Sequence, residues 1–449
     1  MLEAPFAASS PTHTLSRLFK LLTIFLCFCH SWICLARDTL TIDTPLKDNK
    51  GATLVSAGER FELGFFTPSG GDGRYLGIWY YRSRPRIFVW VANRGSSIMD
   101  SSGIFAIADE NLRLLGARKE YYWSPEGVES SKNFSNWTLK LRDSGNLVLS
   151  SPEILWQSFE HPTDTFLPGM YLGPAMNLTS WTSQADPKPG DFTFQFDQDI
   201  SEYIIKNEST TYWKSGVLTN SEGLDNGSLP SVFYFLRNCS TSGSAGSKAA
   251  PKTINYAYKC IDHGNLRLVL KYNGELQLLL WDTENASWNL LRKEPRDRCS
   301  VFDACGNFAT CNSNRASYCK CLPGFEPTSP NNWNSWDFQE GCIKAWPICS
   351  SNENNVTNFL NLKDTRLRNY DENPQVSNVT ECEEECLMSC KCQAYSYRKA
   401  ERRDASSTCL IWNENLGSIQ EQYNDGHELN VRVPLSYISE SSFFCLTIK

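Results

Sequence analysis

The sequence predicts a mainly β protein whose C-terminal part depends on disulfide bonds. Phe61, Leu63 and Phe65 alternate with polar or small residues, which places them on one face of a strand. The run from Ile87 to Val91 is β-branched and aromatic, as in a buried strand. Helical periodicity is scarce, and all 15 cysteines beyond residue 36 lie at or after Cys239. The N-terminal part must therefore fold by apolar burial alone, whereas the C-terminal part also needs cross-links.

Residues 1–36 have the pattern of a secretory signal peptide. An apolar run, residues 21–35, follows Arg17 and Lys20 and precedes the small residue Ala36. This run is shorter than the ~20 apolar residues that a membrane-spanning helix needs. We expect cleavage after Ala36, which leaves residues 37–449 as a secreted, extracellular chain. An uncleaved N-terminal anchor is the alternative.

Glycosylation signals favour the same secretory route. Nine Asn-x-Ser/Thr sequences predict N-linked glycans at Asn133, Asn136, Asn177, Asn207, Asn226, Asn238, Asn285, Asn355 and Asn378. The net charge of -7 is mild and evenly spread along the sequence. Such a charge favours neither nucleic acid nor an anionic membrane as a partner.

The segment from Cys299 to Cys342 contains six cysteines and few large aliphatic residues, so it must be held together covalently. It has no histidine and no Cys-x-x-Cys pair, which disfavours the alternative of a zinc site. Its CxCxPGF text, from Cys319 to Phe325, resembles an EGF-like domain, here residues 295–342. The resemblance implies that the six cysteines pair as Cys299 with Cys311, Cys305 with Cys319, and Cys321 with Cys342.

The N-terminal part contains a loose repeat of a polar turn, an alternating run and a tryptophan. It reads DENLRLL before Trp123, DSGNLVL before Trp156 and, more faintly, NGELQLLLW ending at Trp281. Repeated hairpins that each contribute an aromatic residue predict a symmetric all-β prism or barrel. The texts RFELGFFTP, YLGIWY, VWVANR and LWQSFEHPTDTFLPGM resemble the bulb-type (mannose-binding, G-type) lectin domain of plant S-receptor-like kinases and S-locus glycoproteins, here residues 37–160.

Bulb-type lectins bind mannose through a QxDxNxVxY strand whose polar residues hydrogen-bond the sugar, and this motif is incomplete here. Near the first repeat the five positions hold Ile107, Asp109, Asn111, Arg113 and Leu115. Near the second repeat they hold Arg142, Ser144, Asn146, Val148 and Ser150. Losing two or three polar partners, at about 1 kcal/mol or more each, would abolish a weak monosaccharide site. Asp109, Asn111 and Asn146 are carbohydrate-binding candidates by the resemblance, but their chemistry favours turns and strand ends.

Residues 161–292 continue the strand pattern, with Phe192, Phe194 and Phe196 alternating. The text LTSWTSQADPKPGDFTFQFD resembles the S-locus glycoprotein domain of the same receptors, which implies a second β-prism. A Ser/Gly/Ala-rich stretch after Cys239 predicts a surface loop, which a disulfide between Cys239 and Cys260 could close.

A helix with regularly spaced cysteines is predicted near the C-terminal end. Thr380 and Glu383 form a capping box there. Cys382, Cys386 and Cys390 recur every fourth residue, which predicts that they share one helical face. The pattern resembles the PAN/apple domain, an α+β fold, here residues 349–433. The resemblance implies the pairs Cys382 with Cys409 and Cys386 with Cys392, and leaves Cys349 with Cys390.

Residues 434–449 form a tail that contains no apolar run of membrane-spanning length. Cys445 lies in this tail and is left without a partner, which predicts a reactive thiol or a disulfide-linked homodimer. We expect a released chain rather than an anchored one.

Sequence motifs of catalysis are lacking. No glycine loop, VAIK-like lysine, HRD or DFG signature of a kinase occurs, and no GxSxG or HExxH text surrounds His161, His263 or His427. We therefore predict no enzyme, no cofactor and no metal. The expected function is recognition of a protein or peptide ligand, or of another receptor ectodomain, in cell-surface signalling of the pollen or defence type. Binding of mannose-type glycans is the alternative.

Overall fold

The structure is a computed structural model that describes residues 37–128, 136–171, 173, 176–215, 265–344, 357–365, 370–399, 407–414, 416–421 and 426–435. The signal peptide, the tail with Cys445, and the cysteines Cys239, Cys260 and Cys349 lie outside the described residues. The chain divides into two compact units, residues 1–159 and 160–449. The division falls one residue before the expected end of the lectin domain.

Unit 1 consists of twelve described strands. In chain order they are β1 (Thr39–Thr41), β2 (Leu46–Lys47), β3 (Leu54–Val55), β4 (Phe61–Phe66), β5 (Tyr75–Tyr80), β6 (Phe88–Val91), β7 (Ile104–Ala108), β8 (Asn111–Leu115), β9 (Tyr121–Trp123), β10 (Thr138–Leu141), β11 (Leu147–Ser151) and β12 (Glu153–Gln157). They form three antiparallel four-stranded sheets with the orders β1-β10-β11-β12, β2-β7-β8-β9 and β3-β4-β5-β6. The mainly β fold class is therefore confirmed.

The core of unit 1 repeats with the sheets. The first strand of each sheet contributes one fully buried leucine, and these are Leu40, Leu46 and Leu54. The last strand of each sheet contributes a tryptophan, and these are Trp90, Trp123 and Trp156. The three indole rings contact each other edge to face, with centroid distances of 5.6, 6.0 and 5.8 Å. Edge-to-face pairs add about 0.5–1.5 kcal/mol each to the burial of aromatic area, so this cluster holds the three sheets together.

The third member of the predicted repeat was assigned wrongly. Trp281 lies in unit 2, on a strand of another sheet, where it contacts Trp288 at a centroid distance of 5.5 Å. Trp90 instead completes the tryptophan cluster of unit 1. The error arose because Trp90 lies within the apolar run FVWV and does not follow a polar turn and an alternating run, so its text differs from the other two repeats.

Among its described residues, unit 2 contains the remaining strands and two α-helices. The strands are β13 (Thr165–Phe166), β14 (Asn177–Ser183), β15 (Asp186–Asp197), β16 (Glu202–Asn207), β17 (Thr210–Lys214), β18 (Leu266–Leu270), β19 (Leu276–Asp282), β20 (Ser287–Glu294), β21 (Ala309–Cys311), β22 (Cys319–Cys321), β23 (Phe325–Pro327), β24 (Cys342–Lys344), β25 (Thr357–Thr365), β26 (Ala394–Arg398), β27 (Thr408–Trp412), β28 (Ile419–Gln420) and β29 (His427–Pro434). The helices are α1 (Pro330–Asn334) and α2 (Val379–Met388). None of the described helices is long and apolar enough to cross a membrane.

The second β domain supplies two four-stranded sheets, β13-β18-β19-β20 and β14-β15-β16-β17. The alternating phenylalanines lie on β15, where Phe194 is fully buried and stacks on Tyr203 at a centroid distance of 5.5 Å. The next module contains the disulfides Cys299–Cys311, Cys305–Cys319 and Cys321–Cys342, with Cα–Cα distances of 5.5, 5.4 and 5.8 Å. These are the pairs that the EGF-like resemblance implies.

The EGF-like and PAN-like modules share a sheet and a core. Strand β28, from the C-terminal module, pairs in parallel with β21, and completes the sheet β22-β21-β28. Leu322 and Phe325 of the EGF-like module lie in the same buried cluster as Trp412 and Leu416. The backbone N–H of Phe308 donates to the carbonyl of Leu416 at 2.8 Å. The sequence motifs, which succeed one another without overlap, gave no sign of this joint.

The C-terminal module packs α2 on the sheet β25-β29-β26-β27. The disulfides Cys382–Cys409 and Cys386–Cys392 attach the helix to its surroundings. Cys390 is also disulfide-bonded, whereas its expected partner Cys349 lies outside the described residues.

Two details of the predicted helix are wrong. The N-cap is Asn378 rather than Thr380, and its side chain accepts from the backbone N–H of Glu381 at 3.0 Å. The Glu381 carboxylate in turn accepts from the backbone N–H of Ser377 at 2.7 Å, so the reciprocal capping interaction lies two residues earlier than predicted. The helix ends at Met388, and Cys390 therefore follows it instead of sharing its face.

Candidate functional site

The first candidate carbohydrate residue, Asp109, lies at a hairpin turn between β7 and β8. Asp109 and Glu110 have φ angles of 49° and 54°, the left-handed pair that a two-residue hairpin loop requires. Aspartate tolerates this conformation better than most residues. The exposed Asp109 carboxylate accepts a hydrogen bond of 3.0 Å from the Tyr121 hydroxyl on β9. This interaction raises the pKa of Tyr121.

Asn111, the second candidate, is the first residue of β8 and is half-buried. Its side-chain N–H donates to the carbonyl of Pro125 at 3.2 Å. Its side-chain oxygen accepts from the backbone N–H of Leu112 at 2.8 Å. The amide therefore ties the start of β8 to the chain that follows β9.

Arg113 stands where bulb-type lectins carry the apolar residue of the motif. Its guanidinium carbon lies 5.0 Å from the centroid of the Tyr121 ring, and its Nη1 donates to the Ser124 hydroxyl at 2.9 Å. A continuous chain of polar and cation–π contacts thus crosses β8 and β9, through Asp109, Tyr121, Arg113 and Ser124. A sugar hydroxyl at this face would have to compete with these internal contacts.

Asn146, the third candidate, lies directly before β11 and is only 5% exposed. Its side-chain N–H donates to the Gln157 side chain at 2.8 Å. Its side-chain oxygen accepts from the Ser158 hydroxyl and from the backbone N–H of Phe159, both at 3.3 Å. These contacts place the amide inside the β11–β12 hairpin, where it satisfies buried polar groups.

In the third sheet the strand equivalent to β8 and β11 is β5, and Arg74 precedes it. The Arg74 guanidinium forms an ion pair with the buried carboxylate of Asp48. It also donates to the Thr67 hydroxyl at 3.1 Å. The polar residue before the third strand of this sheet is thus also engaged within the unit.

The sequence identified the three motif residues but not their partners. Tyr121, Ser124 and Gln157 were missed, because hydrogen bonds between neighbouring strands depend on register, which the text of one strand does not contain. The text of β9 gives no signal for Tyr121 either, because Tyr121 and the core residue Trp123 are two positions apart and a regular strand would place them on the same face. The pairing of β8 with β9 is irregular between Leu114 and Leu115, which the sequence does not show.

One group of cysteines has a spacing that metal sites also show. The sulfur atoms of Cys305, Cys311 and Cys319 lie within 4.8 Å of one another in a buried position. All three belong to disulfides, Cys311 with Cys299 and Cys305 with Cys319. They carry no thiolate and therefore cannot serve as ordinary zinc ligands.

The predicted glycosylation sites that the structure describes are accessible. The five asparagines are exposed, and they are Asn136, Asn177, Asn207, Asn285 and Asn378. The other four predicted sites, Asn133, Asn226, Asn238 and Asn355, lie outside the described residues.

Three family models match the chain. The D-mannose binding lectin model matches residues 87–184, the S-locus glycoprotein domain model matches residues 228–329, and the PAN-like domain model matches residues 349–419. None of these three is the model of a catalytic domain. With the fold described above, they define a receptor-like extracellular module that contains a lectin domain.

Curated relatives extend the match along most of the chain. A G-type lectin S-receptor-like serine/threonine-protein kinase of Arabidopsis thaliana is 41% identical over 400 residues, which cover 87% of this chain and 46% of that protein. A second one from the same plant is 32% identical over 419 residues, which cover 88% of this chain and 48% of that protein. The chain belongs to this family of G-type lectin S-receptor-like proteins, and it spans about half the length of the curated relatives it matches.

Proposed function

We propose that this chain is the recognition part of a cell-surface signalling system and that it binds a protein or peptide ligand, or a partner ectodomain. The observation that carries this proposal is the engagement of the lectin-type polar residues in internal contacts. Asn146 is buried with both ends of its amide hydrogen-bonded, and Asp109 is bonded to Tyr121. A mannose ring would find few free partners on these strands.

The experiment compares two classes of ligand on the same purified, glycosylated chain. A peptide-display selection tests protein recognition, sedimentation at several concentrations tests pairing of ectodomains, and a glycan array tests carbohydrate binding. We expect enriched peptide families or concentration-dependent association, together with an array that stays at background for mannose glycans.

Mannose-type binding is the second candidate, because the D-mannose binding lectin model matches this region and Asp109 remains exposed. Retention on immobilised mannose that disappears in the double variant Asp109→Ala, Asn111→Ala would favour it. If that retention occurs without any enriched peptide or self-association, the proposal of protein recognition fails.

A further inference from the structure

Three turns of unit 1 meet at one end of the sheet β3-β4-β5-β6. They are residues 56–60, 81–87 and 142–145. The backbone N–H of Tyr81 donates to the carbonyl of Arg60 at 2.9 Å, which joins the first two turns. The backbone N–H of Gly58 donates to the Asp143 carboxylate at 2.7 Å, which joins the first and third. We call this surface the arginine end.

The arginine end concentrates positive charge. Its arginines are Arg60, Arg82, Arg84, Arg86 and Arg142, and all but the half-buried Arg60 are exposed. The three turns contain two carboxylates, and one of them, Asp143, is already bonded to a backbone N–H. The other, Glu59, approaches Arg82 at 3.5 Å in a largely exposed pair, which neutralises little. Arg82, Arg84 and Arg86 already lie together in the sequence, and the fold adds Arg60 and Arg142 to them to form one basic surface.

Two of the arginines are held in a defined orientation. The guanidinium carbon of Arg86 lies 4.5 Å from the ring centroid of the buried Trp79, and that of Arg82 lies 4.8 Å from the ring centroid of Tyr81. A guanidinium stacked by its face keeps its N–H groups, which lie in its plane, available for acceptors. The Ser83 hydroxyl fixes the turn between them, since it donates to the Tyr80 carbonyl at 2.7 Å and accepts from the Ile87 N–H at 3.1 Å.

We propose that the arginine end binds an acidic segment of a protein ligand, with glutamate or aspartate carboxylates paired to Arg82, Arg84 and Arg86. This inference rests on the proposed protein recognition and names its chemistry. Planar guanidinium groups match carboxylates in a two-pronged fashion. The three turns contain no asparagine or glutamine, the amides that sugar sites use, and none of the large exposed apolar residues that insert into membranes.

The test measures binding of the full chain to a short labelled peptide of alternating glutamate and serine, with the glutamine version of the peptide as control. We expect the acidic peptide alone to bind, more weakly as salt is added. The triple variant Arg82→Gln, Arg84→Gln, Arg86→Gln should bind about three- to a hundredfold more weakly, given the usual strength of three exposed ion pairs. The matched control Lys50→Gln, Arg118→Gln, Lys119→Gln removes three exposed charges elsewhere in unit 1 and should bind as the natural chain does.

The triple variant Arg82→Lys, Arg84→Lys, Arg86→Lys separates the effect of charge from the effect of the planar guanidinium shape. It keeps the net charge but loses the planar donors, so we expect intermediate binding. Equal binding by the natural chain and the glutamine variant, or preference for a polyuronate chain or an anionic vesicle over the peptide, would overturn the inference. Peptide selections that enrich neutral sequences would overturn it too, while leaving the proposed protein recognition intact.

Discussion

Arg432 on β29 provides the sharpest test of how the C-terminal module is held together. Its side chain is buried, with 6% of the residue exposed. Its Nη1 donates to the carbonyls of Ser389 at 2.9 Å and Cys386 at 3.4 Å, and its Nη2 donates to the carbonyl of Leu387 at 3.4 Å. The carbonyl of Cys386 also accepts from the backbone N–H of Ser389 at 3.3 Å, and that of Ser389 accepts from the backbone N–H of Cys392 at 3.2 Å. The negative end of the helix dipole lies at these carbonyls, and Arg432 adds donors and a positive charge there from a neighbouring strand.

The change Arg432→Met keeps the length and apolar stem of the side chain and removes every donor. The carbonyls of Cys386 and Ser389 keep their backbone donors in this variant, so the loss is that of hydrogen bonds from a charged donor, of which only the 2.9 Å contact is short. Such a bond contributes about 1.5–3 kcal/mol, and methionine also relieves the burial of a charge. We therefore expect the opening of α2 to become easier by about 1–3 kcal/mol. Arg432→Lys keeps a charge at the helix end and should lose about half of that.

Hydrogen exchange measured by mass spectrometry on peptides that cover residues 379–388 reports this opening directly. Lys391→Met is the matched control, because Lys391 is exposed and lies just beyond the same helix end. It should change the opening free energy by less than about 0.5 kcal/mol. If Arg432→Met exchanges like the natural chain, the backbone donors hold the helix end without Arg432 and the capping argument is wrong.

Three further predictions concern the same unit. Burial, with a smaller contribution from the Arg432 charge, lowers the pKa of Lys344 from 10.5 to about 8. Between pH 8 and pH 10.5 the unfolded chain therefore keeps a proton on Lys344 that the folded chain has lost, and the free energy of unfolding rises with pH. After a discount for partial exposure the rise is about 1–2 kcal/mol, and Lys344→Met should abolish it in urea unfolding followed from pH 7.5 to 10. Ser418→Ala removes the hydroxyl that accepts from the backbone N–H of Asp303 at 2.8 Å. It should destabilise the joint between the EGF-like and PAN-like modules by about 1–2 kcal/mol in thermal unfolding, and an unchanged midpoint would show that the joint does not depend on this bond. Asn378→Asp keeps the helix cap without the glycan, whereas Asn378→Ala loses both, so only the alanine variant should open α2 more easily, by about 1 kcal/mol in hydrogen exchange.

Local chemistry made part of this fold predictable from the sequence. Alternation located β4 and β15. The pairs that the EGF-like resemblance implies agree with the disulfides of the structure, whereas spacing alone does not fix how six cysteines pair. The N-cap of α2 was missed by two residues. Asn378 and Glu381 form the same kind of reciprocal pair as Thr380 and Glu383, and periodicity alone does not decide between two such pairs in adjacent positions.

The features that sequence could not predict all depend on distant parts of the chain. Strand β28 contains two residues, too few for any pattern, and exists because β21 offers it a free edge. Arg432 reads as an outward residue of an alternating strand, yet the end of α2 lies over it. The arginine end arises because separate turns converge, and the distance along the chain between Arg60 and Arg142 conceals this.

The symmetry of unit 1 explains why its lectin-type residues and its basic surface have different roles. The core requires a buried leucine on each first strand and a tryptophan on each last strand, so these positions repeat in all three sheets. The turns are outside this requirement and can differ without disturbing the core. At or directly before the starts of the third strands, Asn111, Asn146 and Arg74 are each held by contacts within the unit. Turns that the core does not constrain remain open to recognition, and the arginine end is built from such turns. One of them holds Arg142 and Ser144, where the second repeat has lost the glutamine and aspartate of the mannose motif.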